Sequence, residues 1–406
     1  MRTSPREIVT GIFLFLLSLA VLGGLIWANL LFTQTHSGGR EFFGIWKGAQ
    51  NFLMFGVSPY EKQTTNDIQF FLRGRPAEAG EYIPRVNLPL YIEAFFIPLG
   101  MIEDFTAARA VWMLIGEALL IAFAWLCVRL VSPKTYPVFL VFILMFSFFW
   151  VYGFQPFLNG SPLILSAFLL IGALSALRAE IDELSGALLA LAVFCIEPGL
   201  LLIFFILFLA FTARRWRVFG GFLMANVVCF AVAFLLLPSW PLGFVRAVAD
   251  YLRHGSYLTT FSLFEGWWPG VGTRIAWTFT GVLILALGFE WRAARGKDFH
   301  WVIWTASVTI AVTPLLGLPV RPFSYMLMLL PLVLIASVMR ERWGRWGSWV
   351  SIAVLMLVFA GVWLLAWIGS LSLFALPLFL LALLYWMRWW ALHPPRVWLD
   401  AISGRS

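Results

Sequence analysis

The chain has 406 residues, 62% of them hydrophobic and only 12% charged, with a mean hydropathy of +0.90. A soluble domain carries about twice that charged share and could not cover so much apolar side chain, so a water-soluble globular fold is excluded. The net charge of +8 comes from basic residues in short clusters at the ends of apolar stretches; with no basic stripe along one face, nucleic acid is excluded as a partner and the charges act as topology signals.

Stretches apolar enough to cross a bilayer core about 30 Å thick recur from Ile8 to Trp390. The first, from Ile8 to Phe32, follows Arg2 and Arg6 but outruns the roughly 7–15 apolar residues of a secretory signal, so it reads as a retained helix. Residues 33–105 then form the largest polar region. Within it an amphipathic helix is predicted from Glu41 to Phe55, with Phe42, Ile45, Ala49 and Phe52 at helical spacing. A turn at Ser58-Pro59, a second helix near 64–72 and a polar run over 73–87 follow. The stretch 88–101 contains Pro89 and Pro98 and is only about 14 residues long, so it is interfacial or re-entrant and does not span.

Further helices are predicted over 106–131, 135–153, 161–178, 217–238, 268–289, 300–317, 323–339, 348–369 and 371–391. Residues 184–212 are too long for one crossing and are interrupted at Ile196-Glu197-Pro198-Gly199, where proline removes a helix hydrogen bond. Read as a broken hairpin with both ends inside, this segment leaves Arg129, Lys134, Arg178, Arg214, Arg215, Arg217, Arg292, Arg295, Lys297, Arg340, Arg342, Arg345, Arg388 and Arg396 all on the cytoplasmic side. A single crossing would invert every later cluster. The expectation is an all-α, multi-pass cell-membrane protein of about twelve segments, one integral membrane domain over 1–406, with both termini cytoplasmic. Its outer pieces are the 33–105 loop, a short link at 154–160 and a second loop at 239–267.

Cys127, Cys195 and Cys229 lie inside apolar segments, so no disulfide framework is expected. The four histidines are too scattered for a metal motif, and no zinc-protease, phosphate-loop or dinucleotide pattern occurs. No repeat and no pair of halves with matching hydropathy is visible, which counts against a secondary transporter.

Among polar residues, Glu41 opens the amphipathic segment at lipid headgroup depth, where a carboxylate serves either chemistry or the helix dipole. Glu197 sits at the break of an intramembrane hairpin, a costly position for a carboxylate unless it is neutral, paired or in a wet cavity. Gln155 and Asn159 face the outer side and either share that cavity or cap a helix. Arg73, Arg75 and Arg85 accompany Glu78 and Glu81 and read equally as an exposed ion-pair network. Tyr60, Tyr82, Trp267 and Trp268 suit sugar stacking, prenyl contact or interfacial anchoring.

The order of short motifs adds to this. Glu41-Phe42 is followed by Trp46, Ala49, Gly56-Val57-Ser58-Pro59-Tyr60, Tyr82, Asn87-Leu88-Pro89-Leu90, Ile97-Pro98-Leu99, Ala108, Val111-Trp112, Gln155, Asn159, Glu197-Pro198, Arg214-Arg215-Trp216-Arg217, Arg321-Pro322-Phe323-Ser324-Tyr325 and Leu330-Pro331-Leu332. The series resembles glycosyltransferase family 87, the polyprenyl-phosphate-mannose-dependent mannosyltransferases of the GT-C superfamily. Glu41-Phe42 stands where the family has Asp-Phe and keeps its carboxylate; Glu197-Pro198 stands where it has Lys-Pro and reverses a charge.

The resemblance implies a GT-C-type fold and an inverting transfer of a hexose, mannose first, from a polyprenyl-phosphate donor to a lipid-linked or extracytoplasmic glycan acceptor. Such a donor already has a good leaving group, so one carboxylate suffices as base for the acceptor hydroxyl, and Glu41 is the expected catalytic residue. A lipid monophosphate needs cations, not a bridging metal; no cofactor or metal is expected. Arg321, a lone cation in a short outer turn, is the first choice for the donor phosphate, followed by Arg253 and His254, with Arg85, Tyr82, Gln155, Asn159 and Glu197 as further substrate contacts. The expected partners are the donor, a lipid or glycolipid acceptor and membrane lipid, with the site on the extracytoplasmic side. A transporter or flippase of a lipid-linked sugar using Glu197, and an inactive scaffold for envelope assembly, are the rival expectations.

Overall fold

The computed structural model of the protein describes residues 5–78, 81–132, 137–194, 196–255, 257–319, 321, 323–368 and 374–392. Among them the chain is helical, with no strand.

Helix α1 (Pro5–Thr35) leads into α2 (Arg40–Phe55), and the chain between them passes through Gly39 at φ +70°, a conformation that favours glycine. After α3 (Lys62–Arg73) come the short α4 (Leu90–Glu93) and α5 (Ile97–Gly100), then the long α6 (Phe105–Val131). Helices α7 (Pro137–Phe149) and α8 (Val151–Asn159) are bent by 53° at Trp150. The predicted 154–160 link is therefore mostly helix: Pro156 sits inside α8, and its carbonyl accepts from the Ser161 amide as the helix ends.

Helix α9 (Leu163–Arg178) pairs antiparallel with α10 (Asp182–Ala192), as Ser185 donates to the Ala173 carbonyl and Ser166 to that of Ala192. Helix α11 (Ile196–Thr212) then returns, bringing Arg215 onto the Asp182 carboxylate and the Leu177 carbonyl. The two ends of the 182–215 segment thus lie together. Next come α12 (Trp216–Leu236), α13 (Trp240–His254) and α14 (Thr260–Trp267). These two helices lie within the predicted 239–267 loop; Trp240, Phe244, Ala247 and Tyr251 keep the helical period, and Trp240 and Ala247 are buried. The chain ends in α15 (Gly272–Ala293), α16 (Phe299–Val312), α17 (Leu329–Arg342), α18 (Gly344–Ile368) and α19 (Ala375–Leu392).

Five helical stretches are long and apolar enough to cross a bilayer, within α6, α12, α15, α18 and the 299–316 segment, and the bent α7–α8 pair makes a sixth. Their outer faces stay greasy: Leu235 is 86% and Trp367 92% exposed, positions that water would penalise and lipid accepts. The protein is membrane-embedded.

The chain divides into two compact units: Met1–Leu119, Gln155–Leu165 and Val227–Gly255 form one, and Leu120–Phe154, Ser166–Asn226 and Ser256–Ser406 the other. The core of the first is the apolar face of α2. Phe43 stacks on Phe71 of α3 at 3.6 Å, and the Trp46 indole N–H donates to the Ile102 carbonyl. Gly100 lies so close under α2 that an added Cβ would sit 2.8 Å from the Gln50 amide nitrogen. The second unit is tied by polar bonds between helices, including Ser351 of α18 to the Ala336 carbonyl of α17, Trp291 of α15 to Thr309 of α16, and Arg388 of α19 to Glu290 of α15 at 2.6 Å.

Candidate functional site

Glu41 lies in the first turn of α2 and is half-buried. Its Oε2 accepts a 2.6 Å hydrogen bond from the Ser161 hydroxyl, which also accepts from the Leu163 amide at the start of α9. Three segments hold this arrangement. The Gly39 amide donates to the Leu158 carbonyl, and Arg109 of α6 donates to the carbonyls of His36 and Leu158. Phe42, fully buried, stacks on Trp112 at 5.7 Å, and the Trp112 indole donates to the Gly160 carbonyl. Gly160 has φ +64°, and a Cβ there would meet Phe42 at 2.6 Å, so both backbone angle and space demand glycine. The carboxylate therefore stands on a frame of packed backbone, not on a free loop.

The frame unites pieces far apart in sequence: Glu41-Phe42, Ala108, Val111-Trp112 and the 155–161 stretch. Gln155 and Asn159 are half-buried in the same unit, on α8. The hydroxyl that reaches the α9 amides is that of Ser161, and Asn159 is the last residue of α8. Arg109, Gly160 and Ser161 did not stand out in the sequence. Their one visible signal is Arg109, a cation inside an otherwise apolar spanning helix.

A second group lies where α13 packs on the first polar region. Asp250 faces His254 at 3.2 Å and Arg85 at 4.0 Å, while Tyr82 meets Tyr251 edge-on at 5.9 Å. Arg253 is exposed in the last turn of α13. Four expected substrate residues, Tyr82, Arg85, Arg253 and His254, thus lie on or against α13, with Asp250 linking Arg85 to His254. Arg73 and Arg75 instead pair with Glu81, and Arg75 also with Glu78, at the surface. The hydrogen-bonded Arg75 guanidinium holds the Glu81 carboxyl down at about 2.

Glu93 is the buried acid that sequence reasoning passed over. It is 1% exposed in α4, its Oε1 only 2.6 Å from where a Cβ on Gly48 would sit, and neither carboxyl oxygen has a hydrogen-bond partner among the described residues. The Ala49 amide faces it without reaching hydrogen-bond geometry. Burial pushes its ionisation well above the usual carboxylate range, so it is held as the neutral acid. Tyr60 alongside is also pushed up, chiefly by burial, while its hydroxyl donates to the Leu88 carbonyl at 2.6 Å.

In the second unit Arg321 is half-buried in a turn closed by Ser324, whose hydroxyl donates to the Arg321 carbonyl and accepts from its amide. Trp267 and Trp268 end α14, with Trp268 stacked on Phe264. Glu265, in the last turn of α14, accepts from the Gly270 and Thr273 amides, and these bonds hold its carboxyl below the usual range. The Glu197 side chain lies outside the described side chains. No protein-family model matches the chain, and no curated protein or solved structure matches it either.

Proposed function

We propose that the protein is an inverting glycosyltransferase that moves a hexose, mannose first, from a polyprenyl-phosphate carrier to a lipid-linked or extracytoplasmic glycan acceptor. The observation that carries this is the seat of Glu41: a partly exposed carboxylate, oriented by the Ser161 hydroxyl and held on the packed frame of Phe42, Trp112 and Arg109. The resemblance of the motif series to glycosyltransferase family 87 supports the same chemistry.

In this mechanism Glu41 takes the proton of the acceptor hydroxyl as its oxygen attacks the anomeric carbon. The bond from that carbon to the phosphate oxygen breaks on the opposite side, polyprenyl phosphate leaves, and the configuration inverts. Charge growing on the phosphate calls for a cation; in the unit that holds Glu41 the proposed partners are Arg253, His254 and Arg85. In a membrane the proposed arrangement has about twelve segments with α10 and α11 as a hairpin, cytoplasmic termini and the Glu41 side outside, as the distribution of basic residues favours.

The test is purified protein in lipid with a radiolabelled polyprenyl-phosphate hexose and crude acceptor lipids. Release of polyprenyl phosphate with labelled glycolipid is the expected result. Movement of intact donor across the bilayer without release would mean a flippase instead.

A further inference from the structure

We propose that the second unit carries a binding site for an anionic phospholipid, distinct from and independent of the glycosyl-transfer reading. An open groove of about 510 Å³ runs along α11 and is lined by Leu201, Phe204, Phe208 and Phe211, with Phe219 of α12 and Trp291 of α15 on its sides. The residues on α11 repeat at helical spacing, so they form one stripe. From Leu201 to Phe211 the stripe runs about 15 Å, half the thickness of a bilayer core, which is the depth of one leaflet. No polar side chain lines the groove; even the Trp291 indole N–H is turned away, donating to Thr309 at 2.9 Å. An acyl chain fits that chemistry and a sugar or a soluble metabolite does not.

What selects the headgroup is the charge at one end. Trp291 packs on Phe208 and is followed by Arg292, Arg295 and Lys297, while Phe211 meets Trp216 edge-on at 5.6 Å just beyond Arg214. Two nearby cations are already engaged, Arg215 with Asp182 and Arg217 with Glu183. Arg214, Arg292, Arg295 and Lys297 are exposed and have no carboxylate partner among the described residues. Arg214 is also held at φ +57°, a backbone conformation that glycine would adopt more easily. Exposed tryptophan at the groove end suits the headgroup level, and a basic rim beside a chain-sized apolar groove is the arrangement that recognises an anionic lipid between helices. The phosphate would rest on Arg214 and Arg292, with one acyl chain on the Phe204–Phe208–Phe211 stripe.

The experiment is native mass spectrometry of the full-length protein after equilibration with equal amounts of phosphatidylglycerol and phosphatidylcholine. The wild type should retain phosphatidylglycerol with roughly tenfold preference, since each engaged cation near a membrane surface contributes appreciably. The double variant R214Q/R292Q should lose that preference with unchanged thermal stability, and Phe208→Trp, which fills the groove, should lower retention of both lipids. Millimolar inorganic phosphate should not displace the bound lipid. Equal retention of the two lipids by the wild type, an unchanged preference in R214Q/R292Q, displacement by phosphate alone, or displacement by equimolar polyprenyl phosphate would each overturn the proposal.

Discussion

Arg109 and Glu93 do opposite things with burial. Arg109, 3% exposed, gives its guanidinium to the carbonyls of His36 and Leu158 and so ties the turn before α2 to the last turn of α8. Replacing it with alanine removes two charge-assisted bonds, each of order 1.5–3 kcal/mol, so Arg109→Ala should lower the melting temperature measurably in detergent. Lysine, lacking the planar fork, should recover only part of the loss. An Arg109→Ala protein that melts with the wild type would mean that the clamp does not hold the turn. Gly39 belongs to the same clamp: a Cβ there would lie 2.9 Å from Arg109 Cδ, at φ +70°. Gly39→Ala should therefore destabilise by more than about 1 kcal/mol.

Glu93 makes stability depend on pH in the direction opposite to a paired carboxylate. Its ionisation is raised by burial, so the folded state keeps a proton that the unfolded chain gives up near the ordinary value of about 4.3. Unfolding then releases a proton, and stability falls as pH rises above that value. Thermal melts from pH 5 to 8 should show the wild type losing stability relative to Glu93→Gln, which stays neutral throughout. Parallel pH profiles for the two proteins would contradict a buried neutral acid.

At the scale of elements, what the sequence reveals depends on whether period or polarity dominates. Helix α2 is legible because Phe42, Ile45 and Ala49 recur on one face, and all three are buried. Helix α13 carries the same period in Trp240, Phe244, Ala247 and Tyr251 but reads as a loop because Arg246, Asp250, Arg253 and His254 fill its other face. Helix α8 is hidden by Pro156 and its polar neighbours Gln155 and Asn159. Glu93 escapes notice because it sits in an apolar stretch broken by two prolines, and its burial beside Gly48 of α2 is a tertiary contact that no local pattern marks. Glu41 is legible as a carboxylate, but its partner Ser161 lies 120 residues away and no local pattern connects them.

The α10–α11 return has its own test at this scale. Asp182 and Arg215 close its two ends, with Asp182 largely buried. Removing one partner leaves the other charge unmatched, and with Arg215 partly exposed the cost should be about 2 kcal/mol. Asp182→Asn should therefore lower the melting temperature and speed proteolysis near residues 213–215. Unaltered cleavage and melting would show that the ion pair does not hold the return.

Over the whole molecule, the helices that pass as spans are those whose apolar length alone suffices, and the shorter helices join the proposed topology through the basic clusters between them. That topology predicts that single cysteines at Glu78 and Lys297, in a protein whose own cysteines are replaced, react oppositely with an impermeant thiol reagent applied outside intact cells. Position 78 should be labelled and position 297 protected. Labelling of both, or of 297 alone, would reverse or break the orientation.

The central claim is that Glu41 is the base of a lipid-linked glycosyl transfer, and its most direct measurement is turnover of labelled polyprenyl-phosphate hexose by purified wild type and Glu41→Gln in lipid. General-base loss costs about 10²–10⁴-fold, so the wild type should release polyprenyl phosphate and form labelled glycolipid, while the variant, equally folded and equally able to bind donor, should fall by at least about 100-fold. Near-full activity in Glu41→Gln, with the wild type turning over, would contradict the assignment of the base, and a wild type that never releases polyprenyl phosphate would contradict the transferase itself.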